Sequence, residues 1–255
     1  MAIMGYLDTH HVFTLQEFTR TFPDSVTDRN LLIRAVGNGR VDRVRRGVYV
    51  SRTGQFGHTE ADPFDVAQAV AHDAIFCYLS ALQLHGVLHN VVTVTQFYTA
   101  QRLSCFDYSR HTYVPRRIPS APIDTQTLLT PRGFSYRVTT REQTIVDCIT
   151  TPALAGGPES LLRSLSGMTY VDPAKLAGLI GSASRNTRAK LGWLLSVKRD
   201  EWAVPDALLE ELKDSVRGGP YYFWSSRPPK DNQWVNKWKV YLPYPEQEMI
   251  TWLNQ

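Results

Sequence analysis

Between Thr14 and Ser51 the hydrophobic period changes from that of a helix to that of a strand, and glycines stand at the change. This order constrains the fold more than any other feature of the chain. Thr14-Leu15-Gln16-Glu17 opens a helix: Thr14 stands at the cap position, Glu17 completes a capping box, and Leu15 and Phe18 share a face. Phe22-Pro23 ends it. After a turn, Thr27-Asp28-Arg29-Asn30 begins a second helix. There Leu31, Leu32, Ala35 and Val36 make one buried stripe, while Arg29, Asn30, Ile33 and Arg34 stand off it. Gly37-Asn38-Gly39 stops this helix, because glycine adopts the left-handed backbone a helix end needs. Residues 41–44 and 48–51 then read as two short strands around Arg45-Arg46-Gly47. Helix, turn, helix, basic hairpin is the order of a winged helix-turn-helix.

The charge distribution fits that module. The net charge of the 255 residues is only +4. Residues 1–56 carry eight arginines against five carboxylates, and from Arg29 to Arg52 seven arginines face Asp42 alone, with no lysine. The planar guanidinium fork suits phosphate and the guanine edge alike, so a short arginine-rich stretch in a nearly neutral chain marks a nucleic-acid surface. In a winged helix the second helix enters the major groove with its N-terminal residues against base edges. That nominates Ser25, Thr27, Arg29, Asn30 and Arg34 for duplex DNA, with asparagine suited to adenine and arginine to guanine. The hairpin arginines Arg43, Arg45 and Arg46 are expected on phosphates or in the minor groove, fixing position more than sequence.

The expected fold class is α/β (α+β): a winged helix-turn-helix over residues 1–56, followed by a larger mixed α/β domain over residues 57–255. Arg52 to Asp62 reads as a linker. Pro63 to Leu84 reads as helix with a break near Asp73, so that Ile75 to Leu84 forms a second, buried helix. Strands are expected at residues 91–98, 112–114 and 135–139, and Thr140 begins a helix closed by Pro152. After Gly156-Gly157-Pro158 four leucine-striped helices are expected at residues 159–165, 173–180, 188–197 and 205–213. In the aromatic tail, residues 237–241 alternate like a strand.

Enzymatic patterns are weak. His85 and His89 have helical spacing, but Gly86 stands where a zinc protease needs glutamate, and no third ligand follows. Asp206, Glu211 and Lys213 superficially match a magnesium nuclease, yet Leu208, Leu209 and Leu212 place them on one helix rather than on neighbouring strands. No phosphate loop of the Gly-rich Lys-Ser/Thr type is present. We therefore expect no catalytic residue, metal or cofactor. Cys77, Cys105 and Cys148 are odd in number and form no Cys-x-x-Cys pair, which favours reduced thiols. With no basic leader and no apolar run of membrane-spanning length, the expected setting is the cytoplasm, away from membranes.

The string Arg-Arg-Gly-Val-Tyr-Val-Ser (45–51) resembles the wing of AbiEi-type antitoxins from bacterial type IV toxin–antitoxin (abortive infection) systems. Residues 78–86 (Tyr-Leu-Ser-Ala-Leu-Gln-Leu-His-Gly) resemble the helix that opens their second domain, and residues 138–147 resemble their strand-to-helix junction. Gly156-Gly157 and the Arg188-x-x-Leu191-Gly192 helix follow in the same order. The likeness runs from Thr14 to about Leu195. It implies an autorepressor that binds inverted repeats in its own promoter, self-associates on DNA, and counteracts a nucleotidyltransferase-type toxin. Two readings stay open beside it: a winged-helix regulator whose body senses a ligand or oligomerises, and a nuclease or toxin-modifying enzyme targeted by the winged domain.

Overall fold

The computed structural model describes residues 3–23, 26–130, 133–224 and 233–255, and the fold is mixed α/β. The chain opens with α1 (Ile3–Leu7), β1 (Val12–Thr14), α2 (Leu15–Thr21), α3 (Val26–Gly37), β2 (Val41–Arg45), β3 (Val48–Ser51) and α4 (Pro63–Val70). There follow β4 (Ile75–Phe76), α5 (Tyr78–Leu84), β5 (Val94–Thr99), β6 (Phe106–Tyr108), β7 (His111–Arg117), β8 (Thr125–Leu129) and β9 (Ser135–Thr139). A helical stretch holds α6 (Arg141–Thr150), α7 (Pro158–Ser166), α8 (Pro173–Gly181), α9 (Arg185–Val197) and α10 (Asp206–Ser215). The tail contains β10 (Tyr221–Tyr222), β11 (Gln233–Val235), β12 (Val240–Leu242) and α11 (Glu246–Leu253). Contacts divide the chain into two compact units, Met1–Ala74 with Thr93–Ile118, and Ile75–Val92 with Pro119–Gln255. A boundary after residue 56 therefore falls inside the first unit.

In the first unit β1, β3 and β2 form an antiparallel sheet in that order, with Val12 opposite Val50 and Val41 opposite Ser51. Thr14 closes β1 and caps α2: its Oγ1 accepts from the Glu17 amide at 3.1 Å, and the Thr14 amide donates to Glu17 Oε2 at 2.7 Å. The core beneath is largely aromatic and aliphatic, joining Tyr6, Phe13 and Phe18 to Leu32 and Ala35 of α3 and Val41 of β2. Burying a side chain such as Leu32 contributes about 1.5–3 kcal/mol, so α3 is held chiefly by this stripe. Asp62 caps α4, which touches β1 and β3 as well as β5. In the same unit β5 runs parallel to β7, and β6 pairs antiparallel with β7. The segment 93–118 thus packs with the N-terminal elements.

In the second unit β4 is parallel to β9, Phe76 facing Val138, and β8 is antiparallel to β9. Helix α6, capped by Thr140, packs on α8 and α9, and α9 packs on α10. Gly192 makes room for the buried Trp238: a Cβ at residue 192 would stand 2.2 Å from the indole. Two expectations are corrected. Ile75-Phe76 is a strand rather than the start of a helix, because residues 75–82 are all buried and such a run carries no period. The tail strand is Val240–Leu242, with Trp238 turned into the core before it begins.

Candidate nucleic-acid interface

Helix α3 buries Leu32 and Ala35 and turns Thr27, Arg29, Asn30, Ile33 and Arg34 to solvent. The 3.6-residue period does this: once Leu32 and Ala35 face the core, positions 27, 30 and 34 point elsewhere. Ser25 lies outside the described residues. Among the described side chains, none of Arg29, Arg34, Arg43 or Arg46 forms an ion pair. Their guanidinium groups are available to an anion from outside.

The hairpin splits its three arginines. Arg43 and Arg46 are exposed. Gly47 closes the turn with φ +84°, a left-handed backbone that side-chain-bearing residues adopt at a cost. Arg45 is half-buried, with its guanidinium carbon 5.1 Å from the centre of the Phe106 ring and its Nη1 buried without a hydrogen-bond partner. In a regular strand residues 43 and 45 share a face. Here the register shifts between them, and such a bulge re-aims the side chain that follows it. Arg45 accordingly serves the packing of the first unit and not its open surface.

Arg52 is also withdrawn. Its Nε donates to Asp42 Oδ2 at 2.7 Å, its Nη1 to the Thr59 carbonyl at 3.1 Å, and its Nη2 to the Tyr108 hydroxyl at 3.2 Å. Tyr108 in turn donates to Asp42 at 3.0 Å. The hydrogen bond to Asp42 holds the guanidinium above its ordinary pKa, and burial first, then Asp42, pushes the Tyr108 hydroxyl up. Arg52, Asp42 and Tyr108 therefore form a neutralised clamp joining β2 and β6 to the residue that follows β3.

Sequence reasoning missed one feature, an apolar hollow of about 250 Å³ between α3 and the hairpin. Leu15, Leu32, Ile33, Val36 and Tyr49 line it, with Arg29 and Arg43 beside them. Its signal was Ile33, an isoleucine among polar positions and 68% exposed.

The other candidates are placed apart from this surface. His85 ends α5, and its Nε2 donates to the Thr139 carbonyl at 2.8 Å; burial holds the ring below the ordinary histidine pKa. His89 donates its amide to Ser164 Oγ at 3.0 Å. Among the described residues, no three of His, Cys, Asp and Glu gather where they would share a metal ion. Asp206 and Lys213 belong to α10 and pair with Arg199 at 2.8 Å and Glu210 at 3.0 Å. Cys77 and Cys148 are buried and Cys105 is exposed, all three as free thiols. No described helix is long and apolar enough to cross a membrane.

No family model matches the sequence, and a search of curated proteins finds no match. Among solved structures the chain is similar to the RV2827C protein from Mycobacterium tuberculosis, with a TM-score of 0.69 over 98% of this chain and 93% of that one, at 17% sequence identity. At that identity the likeness shows the fold alone.

Proposed function

We propose that the elements α1 to β3 form a winged helix-turn-helix that binds duplex DNA, with α3 in the major groove and the β2–β3 hairpin along the phosphates. One observation carries this reading: Thr27, Arg29, Asn30 and Arg34 on α3 and Arg43 and Arg46 on the hairpin are exposed, and among the described residues none of these arginines has a carboxylate partner. Asn30 and Arg29 read base edges, and Arg43 and Arg46 hold the backbone.

For the whole chain we propose an AbiEi-like type IV antitoxin, non-enzymatic, that represses its own operon at inverted repeats and counteracts a nucleotidyltransferase-type toxin encoded beside it. The support is the order of the resembling stretches: residues 45–51 in the hairpin, 78–86 on α5, and 138–147 across β9 and α6. Protection mapping on the promoter upstream of the gene tests the first half. Two protected half-sites about one helical turn apart are expected for a dimer on a repeat. Uniform binding to unrelated duplexes would overturn the operator reading. Co-expression with the neighbouring gene tests the second half, and growth that this chain fails to restore would remove the antitoxin assignment.

A further inference from the structure

A pocket of about 460 Å³ opens in the second unit, within the range of small-molecule sites. Its walls include the first turns of two helices, α6 with Arg141 and Glu142 and α8 with Lys175. A helix N-terminus carries partial positive charge, so a cation in the first turn is placed against the helix dipole. Two such cations lining one cavity is an arrangement that stability does not account for.

The acids of the pocket are already engaged. Glu142 is 5% exposed and accepts the Asp172 amide through Oε1 at 2.8 Å. Asp172 Oδ1 accepts the amides of Ala174 and Lys175 at 2.9 and 3.2 Å, capping α8. The donors are not engaged: among the described residues, the side chains of Arg141, Lys175, Gln126 and Tyr170 have no ion-pair or hydrogen-bond partner. His85 spends Nε2 on Thr139, which leaves Nδ1 as its free ring atom.

We propose that this pocket binds a phosphate-bearing small molecule, with the phosphate between Arg141 and Lys175 and the rest of the ligand toward Gln126 and the exposed ring of Tyr170. A guanidinium fork and an ammonium both donate to phosphate oxygens, while Glu142 and Asp172 in the same lining each turn an oxygen onto backbone amides. The proposal does not depend on DNA binding by the first unit.

Calorimetric titration of the full chain with inorganic phosphate, pyrophosphate and adenosine monophosphate tests it. Saturable binding of at least one probe is expected, weakened about tenfold or more in Arg141→Gln and again in Lys175→Gln, since each removes a charge-assisted hydrogen bond. Preferred binding of the nucleotide assigns the ring to Tyr170; equal binding of all three assigns the site to the phosphate alone. The Lys175 side chain is exposed, so Lys175→Gln leaves the fold intact and decides the matter should Arg141→Gln fail to fold. Absence of saturable binding at about 1 mM of every probe overturns the proposal. So does a loss of binding in Arg29→Ala/Arg46→Ala, which would place the phosphate on the first unit.

Discussion

The two units differ in how many of their described cations are paired with carboxylates, five ion pairs standing in the second against two in the first. In the second, Arg163 pairs with Glu159, Lys198 with Glu201, Arg199 with Asp206, Lys213 with Glu210 and Arg217 with Asp214, at 2.6–3.0 Å. In the first, Arg52 pairs with Asp42 at 2.7 Å and Arg110 with Glu60 at 3.7 Å, while Arg29, Arg34, Arg43 and Arg46 have no ion-pair partner among the described residues. Exposed pairs contribute only about 0–1 kcal/mol each, so their effect is to quench local field more than to hold the fold. A net charge of +4 conceals this difference. Where the partners are, rather than how many cations there are, makes one surface attractive to a polyanion.

The largest expected effect follows from that difference. Arg29→Ala with Asn30→Ala should remove about 2–6 kcal/mol of discrimination between the protected promoter site and unrelated duplex, at about 1–3 kcal/mol for each base contact. Arg199→Ala with Lys213→Ala, which removes as much positive charge or more from a paired surface, should leave both affinities unchanged. Fluorescence anisotropy on the two duplexes measures it. Equal losses from the two double variants would mean that pairing does not matter.

The second unit also keeps one unpaired cation out of water. Lys190 is buried in the second unit, its Nζ donating to the carbonyls of Ile149 and Thr150 at 3.2 Å, and burial holds its pKa down at about 8 against an ordinary 10.5. Below pH 8 the amine is protonated whether folded or unfolded. Between about 8 and 10.5 only the unfolded chain binds the proton, so raising the pH favours the folded state. Relative to Lys190→Met, the wild type should gain up to about 3 kcal/mol across that window in urea titrations. A difference that stays flat with pH would mean that the buried amine is charged throughout.

Two glycines sharpen the contrast in what each unit demands of its backbone. Gly192 sits in a helix, where alanine is otherwise favoured, but its Cβ would enter the Trp238 indole, so Gly192→Ala should cost about 3 kcal/mol. Gly47 has open space around it and only its positive φ to protect, so Gly47→Ala should cost about 1–2 kcal/mol and Gly47→Asn much less, because asparagine tolerates that conformation. Thermal melts of the three variants rank them. Equal penalties for alanine and asparagine at 47 would show that the turn needs space after all.

What was legible in the sequence was local. The capping box of Thr14 and Glu17, the cap at Thr140, the strand over 135–139 and the outward face of α3 each follow from spacings within one turn or one strand. Strands such as β6 and β8 were not legible, because β6 is only three residues long and β8 buries none of its side chains fully, so neither shows an in–out alternation. The candidate surface divides along the same line. Exposure of Arg29 and Arg34 follows from the helical period, whereas the withdrawal of Arg45 and Arg52 depends on Phe106 and Tyr108, which only the fold of residues 93–118 brings to the hairpin. The phosphate pocket was likewise invisible, since its two cations come from helices that β9 and the chain between α6 and α8 hold together only in space.

The smallest expected effect separates neighbours in one hairpin. By sequence Arg45 and Arg46 are equivalent anchors; by placement Arg46 faces solvent and Arg45 covers Phe106. Each phosphate neutralised contributes about −0.9 to the slope of log affinity against log salt. Arg46→Ala should therefore flatten the slope by about 0.9 for every duplex alike, with the melting temperature unchanged. Arg45→Ala should leave the slope in place and instead lower stability by about 0.5–1 kcal/mol through loss of the ring contact. Lysine at 46 retains the charge and should restore the slope, whereas lysine at 45 lacks the flat surface that lies on the ring and should restore little. If both alanine variants flatten the slope equally, Arg45 leaves Phe106 when DNA arrives, and the division of labour between the two residues belongs to the free protein alone.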